Sequence, residues 1–181
     1  MKDFDLSFVK TDWKVTGETI ARSLSDLHKK RDRLDLDVYL PSFGVNLQRD
    51  FVWNKRQQSQ FIESIVYRES RHLPRFSVLI DDEAQPDRIY RVVDGKQRLT
   101  TLLRWLDNKV EICVPGFKGT IATAPPTLVE WINGYSVQVD AAFDLNDTQL
   151  IEWFNRINFT GTPQDEAHKQ KLESLVHSAK K

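Results

Sequence analysis

Ile89-Tyr90-Arg91-Val92-Val93-Asp94-Gly95-Lys96-Gln97-Arg98-Leu99 reads as an apolar strand that runs into an Asp-Gly turn and out again as a helix. The strand is expected over Ile89–Val93, where β-branched and aromatic residues dominate. Helical spacing begins just after Gly95 and carries Leu99, Leu102, Leu103 and Leu106 to one face. A strand entering a helix through a glycine turn implies a layered domain of sheet and helices.

The flanking sequence extends this pattern. Before it, Thr16 to about Arg31 reads as a first helix, with Ile20, Leu24 and Leu27 as its apolar stripe and Thr16 or Gly17 near its cap. Leu34-Asp35-Leu36-Asp37-Val38-Tyr39-Leu40 alternates strictly, which predicts a half-buried strand ended by Pro41. Asn54 is placed to cap a second helix carrying Phe61, Ile62, Ile65 and Val66. Phe76–Ile80 reads as a strand, and the polar Asp81–Asp87 segment with Pro86 as a loop. After the turn, Glu111–Val114 suits a short strand and Pro115–Pro126 a long loop or flap rich in Gly and Pro. Leu128–Ile132 reads as one helical turn and Ser136–Val139 as a strand. Asn146 or Asp147 should cap a helix running to about Asn158, and Thr162-Pro163 should open a last helix with Leu172, Leu175 and Val176 inward. No internal repeat or low-complexity tract is visible. The mixed order predicts an α+β fold, a small mixed sheet with packed helices.

Composition narrows the class of function. The 181 residues carry 26 basic and 26 acidic side chains, so the excess of Lys and Arg that marks a non-specific nucleic-acid binder is missing. Between Arg49 and Arg104, however, 11 Lys/Arg stand against 8 Asp/Glu, and most of these cations are arginine. That bias suits local anion sites, where the planar guanidinium fork binds phosphate in a bidentate manner. Cys113 stands alone, so neither a disulfide framework nor a cysteine metal cluster is expected. No apolar run approaches the roughly 20 residues of a membrane span, and the first residues lack a secretory signal. A cytoplasmic protein without a membrane partner is the expectation.

Asp94–Arg98 concentrates the chemistry. Gly95 can adopt angles closed to other residues and so allows a ligand to approach the backbone. The helix from Lys96 then offers free N–H groups and a positive dipole end, which together favour a phosphate. Arg98 lies in the first turn, and Lys96 either joins it or faces solvent. Asp94 is placed as a Mg²⁺ ligand or as a proton acceptor. Asp-Gly is also an ordinary turn and Asp an ordinary cap, with Arg98 then a solvated helix residue.

Two further segments bear on that choice. Asn46-Leu47-Gln48-Arg49-Asp50-Phe51-Val52-Trp53 places Gln48 and Arg49 after a Pro-Ser-Phe-Gly loop, with Phe51 and Trp53 bulky enough to anchor the loop and fix the direction of Arg49. Phe154-Asn155-Arg156-Ile157-Asn158 ends a helix, so Phe154 and Ile157 can pack inward while Arg156 and Asn158 lie at the helix end. Arg156 there also simply complements the helix dipole. Trp131, beside the Gly/Pro loop, is a candidate for stacking on a base, whereas Trp105 and Trp153 suit core packing.

Taken in order, Gln48–Trp53, Asp94–Arg98 and Phe154–Gly161 resemble the N-terminal domain of GmrSD-type restriction endonucleases, a family marked by a DGQQR motif and similar to the ParB/sulfiredoxin-like superfamily. The resemblance implies a single domain over residues 1–181, a ParB/sulfiredoxin-like core, with 141–181 a helical C-terminal extension. It also implies binding and Mg²⁺-dependent hydrolysis of a nucleoside triphosphate, ATP or GTP. Asp94, Gln97 and Arg98 would be catalytic, with Asp94 on the metal. Gln48, Arg49, Gly95, Lys96, Arg156 and Asn158 would bind the nucleotide. DNA and a separate nuclease subunit are the further partners implied.

Lys96 departs from the family pattern, standing where the motif has its first Gln. His28, His72, His168 and His177 are dispersed, so no HNH-type nuclease is expected within these residues. Three functions fit the sequence. The first is an NTPase in DNA defence or counter-defence. The second is a phosphotransferase acting on a hydroxyl of a modified base or small metabolite. The third is a non-catalytic adaptor for DNA or protein.

Overall fold

The computed structural model describes residues 18–67, 75–80 and 89–159, together with Gln170 and Ser174. Its centre is a five-stranded mixed sheet in the order β1-β9-β5-β6-β2. These strands are β1 (Glu18–Ser23), β2 (Leu34–Asp35), β5 (Arg75–Ile80), β6 (Tyr90–Asp94) and β9 (Ser136–Phe143). β9 pairs antiparallel with β1 and parallel with β5, β5 pairs antiparallel with β6, and β6 pairs parallel with β2. The architecture is α+β, as the mixed element order predicts.

Both faces of the sheet are covered. On one face Phe76, Val78, Ile80, Val92, Val137 and Val139 meet a layer of four helices, α1 (Leu24–Lys29), α2 (Lys55–Tyr67), α3 (Lys96–Leu106) and α4 (Pro126–Asn133). Ile62, Ile65, Leu99, Leu102 and Trp105 supply much of that core. On the other face Leu79, Val93 and Ala142 pack with Leu150, Ile151 and Phe154 of α5 (Asp147–Phe159), together with Val38, Leu40 and Leu47. A strand covered on both faces reads as a continuous apolar run, and Phe76 to Ile80 is buried at every position.

The predicted first helix is corrected. Residues 18–23 form β1, with Ile20 opposite Val139 in the register, and the helix is confined to Leu24–Lys29. Ser23 caps it, accepting a hydrogen bond from the Asp26 N–H at 3.1 Å. Thr19 and Ile20 are β-branched, and an open edge of β9 was available to them, so long-range pairing overrode the helical period.

The Leu34–Leu40 alternation also needs restating. Only Leu34–Asp35 joins the sheet, because Asp35 Oδ1 accepts from the N–H groups of Asp37 (3.0 Å) and Val38 (2.9 Å) and turns the chain. Val38 sits there at φ 54°, and the chain resumes as β3 (Tyr39–Leu40) paired with β4 (Val45–Asn46). Val38 and Leu40 are still buried, so the alternation foretold burial correctly but not a single strand.

Other elements lie close to expectation. Asn54 caps α2 reciprocally with Gln57, and Asn146 caps α5 in the same way with Gln149. The Gly/Pro-rich segment is more ordered than a flap. β7 (Ile112–Val114) and β8 (Phe117–Gly119) form a hairpin, a 3-10 turn covers Ile121–Thr123, and Pro126 occupies the first turn of α4. Leu128–Ile132 accordingly belongs to an eight-residue helix. β9 runs on to Phe143, so the stretch from residue 141 opens with the end of a central strand and turns helical only at Asp147. Trp105 is fully buried, and Trp131 and Trp153 pack against the two cores. The Asp81–Asp87 loop lies outside the described residues, and of the last helix after Thr162 only Gln170 and Ser174 are described, both helical.

Candidate nucleotide site

β6 ends on Asp94, opposite Ser77, where the pairing with β5 is interrupted by a register shift between Ser77 and Val78. Gly95 then turns the chain at φ 95°, and Lys96 opens α3. Irregularities of this kind often sit beside functional sites because they re-aim a side chain. No side chain caps α3 at its N-cap. Its first-turn N–H groups and its dipole therefore form a positive end.

Gly95 is required for a reason the sequence did not disclose. A Cβ built on it would stand 2.4 Å from Cδ1 of Phe76, a residue buried to 1%. The close approach to this backbone is made by Phe76 of the neighbouring strand. Arg98 folds back over the same turn. Its Nη2 donates to Asp94 Oδ2 at 2.8 Å, and its guanidinium lies 5.7 Å from the centre of the Phe76 ring. Asp94 and Arg98 are each about one-third exposed, so the pair faces solvent at the mouth of the turn.

The segment Gln48–Trp53 is sewn to this turn from both sides. Gln48 Nε2 donates to the carbonyls of Val92 (2.8 Å) and Val93 (2.6 Å), prolonging the edge of β6 where β2 leaves off. In return, Gln97 Oε1 accepts from the N–H groups of Val52 (2.9 Å) and Trp53 (3.3 Å), and its Nε2 donates to the Asp50 carbonyl at 2.9 Å. Arg49 is carried between these anchors, half-buried. Phe51 lies 5.5 Å beneath the Arg104 guanidinium, and Trp53 packs edge-on against Phe61 at 5.4 Å, as the anchoring role of these aromatics requires.

Lys96 does not face solvent. It is buried to 7% exposure, and its Nζ donates to Asp37 Oδ1 at 2.7 Å. Asp37 in turn accepts the Gln48 N–H on its backbone carbonyl at 3.2 Å. The lysine that departs from the motif is thus neutralised and tied to the chain leading into Arg49.

The C-terminal segment reaches the same end of the sheet by topology. β9 finishes with Phe143 opposite Ile80, and the Asp144 N–H donates to the Ile80 carbonyl at 3.4 Å. α5 then returns along the sheet and packs against β6. Its 13 residues span about 20 Å, comparable to the length of the strands beneath it. Its C-terminal half carries Phe154, which shares a core cluster with Val93, the residue before Asp94. Arg156, two residues on, is exposed. Asn158 turns its amide back, Nδ2 donating to the Phe154 carbonyl at 3.0 Å.

The candidate residues separate into two groups. Gln48, Gln97 and Asn158 place their amides on backbone groups, Lys96 is paired with Asp37, and Gly95 admits Phe76. Asp94 and Arg98 form the ion pair at the mouth, with Arg49 and Arg156 the other charged members. Phe76 and Asp37 were not foreseen. Neither has a local sequence signal, since each meets the turn only through the fold.

A family model described as GmrSD restriction endonuclease, N-terminal domain, matches residues 24–138. The matched stretch runs from α1 into β9 and includes both Gln48–Trp53 and Asp94–Arg98, while α5 lies outside it. No curated protein and no solved structure shows a significant match. With its two interlocked motifs inside a match that covers most of its length, the chain belongs to the family of GmrSD restriction endonuclease N-terminal domains.

Proposed function

We propose that this chain binds ATP or GTP at the Asp94–Arg98 turn and hydrolyses it with Mg²⁺, in the service of DNA restriction or counter-defence. The observation that carries the reading is the reciprocal stitching of two motifs. Gln48 bonds the end of β6 while Gln97 bonds the backbone of Asp50–Trp53, so the chain at Arg49 is pinned next to the turn that carries Arg98. Membership of a restriction-endonuclease family supports the DNA-related setting, and DNA and a nuclease subunit are the partners that fit.

Arg98 and Arg49 would take oxygens of the β- and γ-phosphates through charge-assisted hydrogen bonds, with Arg156 the third cation of the site. Free N–H groups of α3 add to that field. Asp94 would accept a hydrogen bond from the attacking water and orient it. The water oxygen bonds to the terminal phosphorus as the bond from that phosphorus to the bridging oxygen breaks, releasing nucleoside diphosphate and phosphate, and the proton the water loses passes to solvent. Gln97 and Gln48 act by holding the two segments together, while Lys96, already paired with Asp37, takes no phosphate. Among the described residues no group of three or more His, Cys, Asp or Glu is assembled for a metal. A Mg²⁺ ion would therefore be shared between Asp94 and the nucleotide phosphates, a usual arrangement for this cation. When bound it neutralises charge on the phosphoryl group.

The test uses γ-labelled ATP and GTP with Mg²⁺. Label released as inorganic phosphate supports hydrolysis, and label moved to DNA or another acceptor replaces it by phosphotransfer. Absence of both turnover and binding leaves an adaptor role. Asp94→Ala should abolish turnover while preserving the fold, and wild-type turnover in that variant would sink the mechanism. Arg98→Ala should weaken nucleotide binding by about tenfold or more.

A further inference from the structure

We infer that the Asp94–Arg98 ion pair makes the site selective for a metal-complexed polyphosphate over the free anion. The inference rests on the nucleotide-site reading and specifies the form in which the ligand binds.

Arg98 is not poised outward. Its Nη2 sits 2.8 Å from Asp94 Oδ2, and the same atom lies 3.4 Å from the point where a Gly95 Cβ would stand, so the guanidinium folds across the turn. Lys96, the other cation of the turn, is occupied by Asp37 at 2.7 Å. The charges of Asp94, Arg98, Lys96 and Asp37 therefore cancel in pairs. A free polyphosphate therefore draws no net charge from these four groups and is left with Arg49, Arg156 and the N-terminus of α3. To take Arg98 it must compete with Asp94 for Nη2 or bind the other guanidinium N–H groups, and in either case it lies beside the carboxylate's negative charge.

A divalent cation alone fares no better. It would find the single carboxylate Asp94, with no assembled acidic cluster among the described residues and with Arg98 beside it. When cation and polyphosphate arrive together, the carboxylate faces the metal, the metal faces phosphate, and phosphate faces Arg98. Each ligand thus releases the protein group that the other needs, which is positive coupling between two ligands at one site. Asp94 closes β6 and Arg98 lies in the first turn of α3, four residues on, so a rotamer change of Arg98 is enough for the exchange.

The experiment is calorimetric titration of the full chain with inorganic tripolyphosphate, and with the β,γ-imido analogues of ATP and GTP, in Mg²⁺ and in EDTA. Wild type should bind the Mg²⁺ complexes about tenfold tighter than the free anions. Asp94→Asn keeps the shape but releases Arg98. Metal-free binding should tighten by about threefold or more, and the Mg²⁺ enhancement should shrink to about twofold or less. Asp94→Ser serves as a second variant, with thermal melting to establish that each is folded. If wild type binds the Mg²⁺ complexes but both variants bind free anion no better than wild type, the ion pair is not the selector and only this inference falls. If wild type binds none of these ligands in either buffer, the nucleotide reading falls with it.

Discussion

Lys96 Nζ lies 2.7 Å from Asp37 Oδ1, although the two residues are 59 apart in sequence and the lysine is 7% exposed while the aspartate is 66% exposed. The asymmetry sets the energetics. Removing Asp37 leaves a buried cation without a partner, whereas removing the Lys96 charge leaves a carboxylate that water can solvate. Asp37→Ala should therefore cost about 2–3 kcal/mol, and Lys96→Met only about 1 kcal/mol. Urea denaturation of both variants checks the order, and equal or inverted costs would remove the buried-cation argument. Lys96→Met should also leave nucleotide affinity within about threefold of wild type, since this ammonium already has its partner.

Gly95 combines a φ of 95° with a Phe76 carbon 2.4 Å from its missing Cβ. Gly95→Ala should destabilise the protein by about 2–4 kcal/mol, from left-handed strain and overpacking together. Combining it with Phe76→Ala should cost less than the sum of the two single changes, because the clash is then gone. A purely additive pair, measured by chemical denaturation, would assign the whole effect to the backbone.

Gln97 makes three hydrogen bonds to the backbone of Asp50, Val52 and Trp53. Gln97→Leu should accelerate amide exchange at Val52 and Trp53 by about tenfold and cost about 1–2 kcal/mol of stability. If Gln97 instead served only as a water-orienting residue, turnover would fall with no change in exchange there.

Asp107 joins the end of α3 to α1 and the turn after it. Its Oδ1 accepts from Arg31 Nη1 at 2.8 Å and from His28 Nε2 at 3.1 Å, and Lys109 lies 3.4 Å from Oδ2. The His28 hydrogen bond, followed by Lys109 and Arg31, holds the carboxyl below its ordinary value of 3.8. A carboxylate with a depressed folded pKa contributes stability above its unfolded pKa and loses it as the pH falls through the folded value. Asp107→Asn should cost about 0.5–1 kcal/mol at pH 7, a modest figure because the site is partly solvated. The gap from wild type should close progressively below pH 3.8. A gap that persists undiminished in denaturation at low pH would count against the ionic origin.

The strand–turn–helix around Asp94–Gly95 was legible because its signals are local. A run of β-branched residues, a glycine and a helical period all act within a dozen residues. The caps Asn54 and Asn146 were readable for the same reason, each satisfying an N–H group three positions away. Local rules failed where a distant edge competed. Residues 18–23 carry part of an apolar helical stripe, yet the edge of β9 drew them into the sheet. Asp35 broke an alternating run by hydrogen bonding two positions onward, which alternation alone does not encode.

By itself, then, the sequence determined the α+β class, the turn at Asp94–Arg98 and the residue types gathered around it, because propensity, patterning and motif spacing are properties of neighbouring residues. Only the tertiary structure decided what those side chains touch. It set Lys96 against Asp37, turned Gln97 onto the Asp50–Trp53 backbone, seated Phe76 against Gly95 and folded Arg98 onto Asp94. Two of these four contacts join segments dozens of residues apart. A buried charge or amide takes whichever partner packing brings within hydrogen-bond reach, and that choice is made by the sheet order and the helix layer rather than by the five residues of the motif.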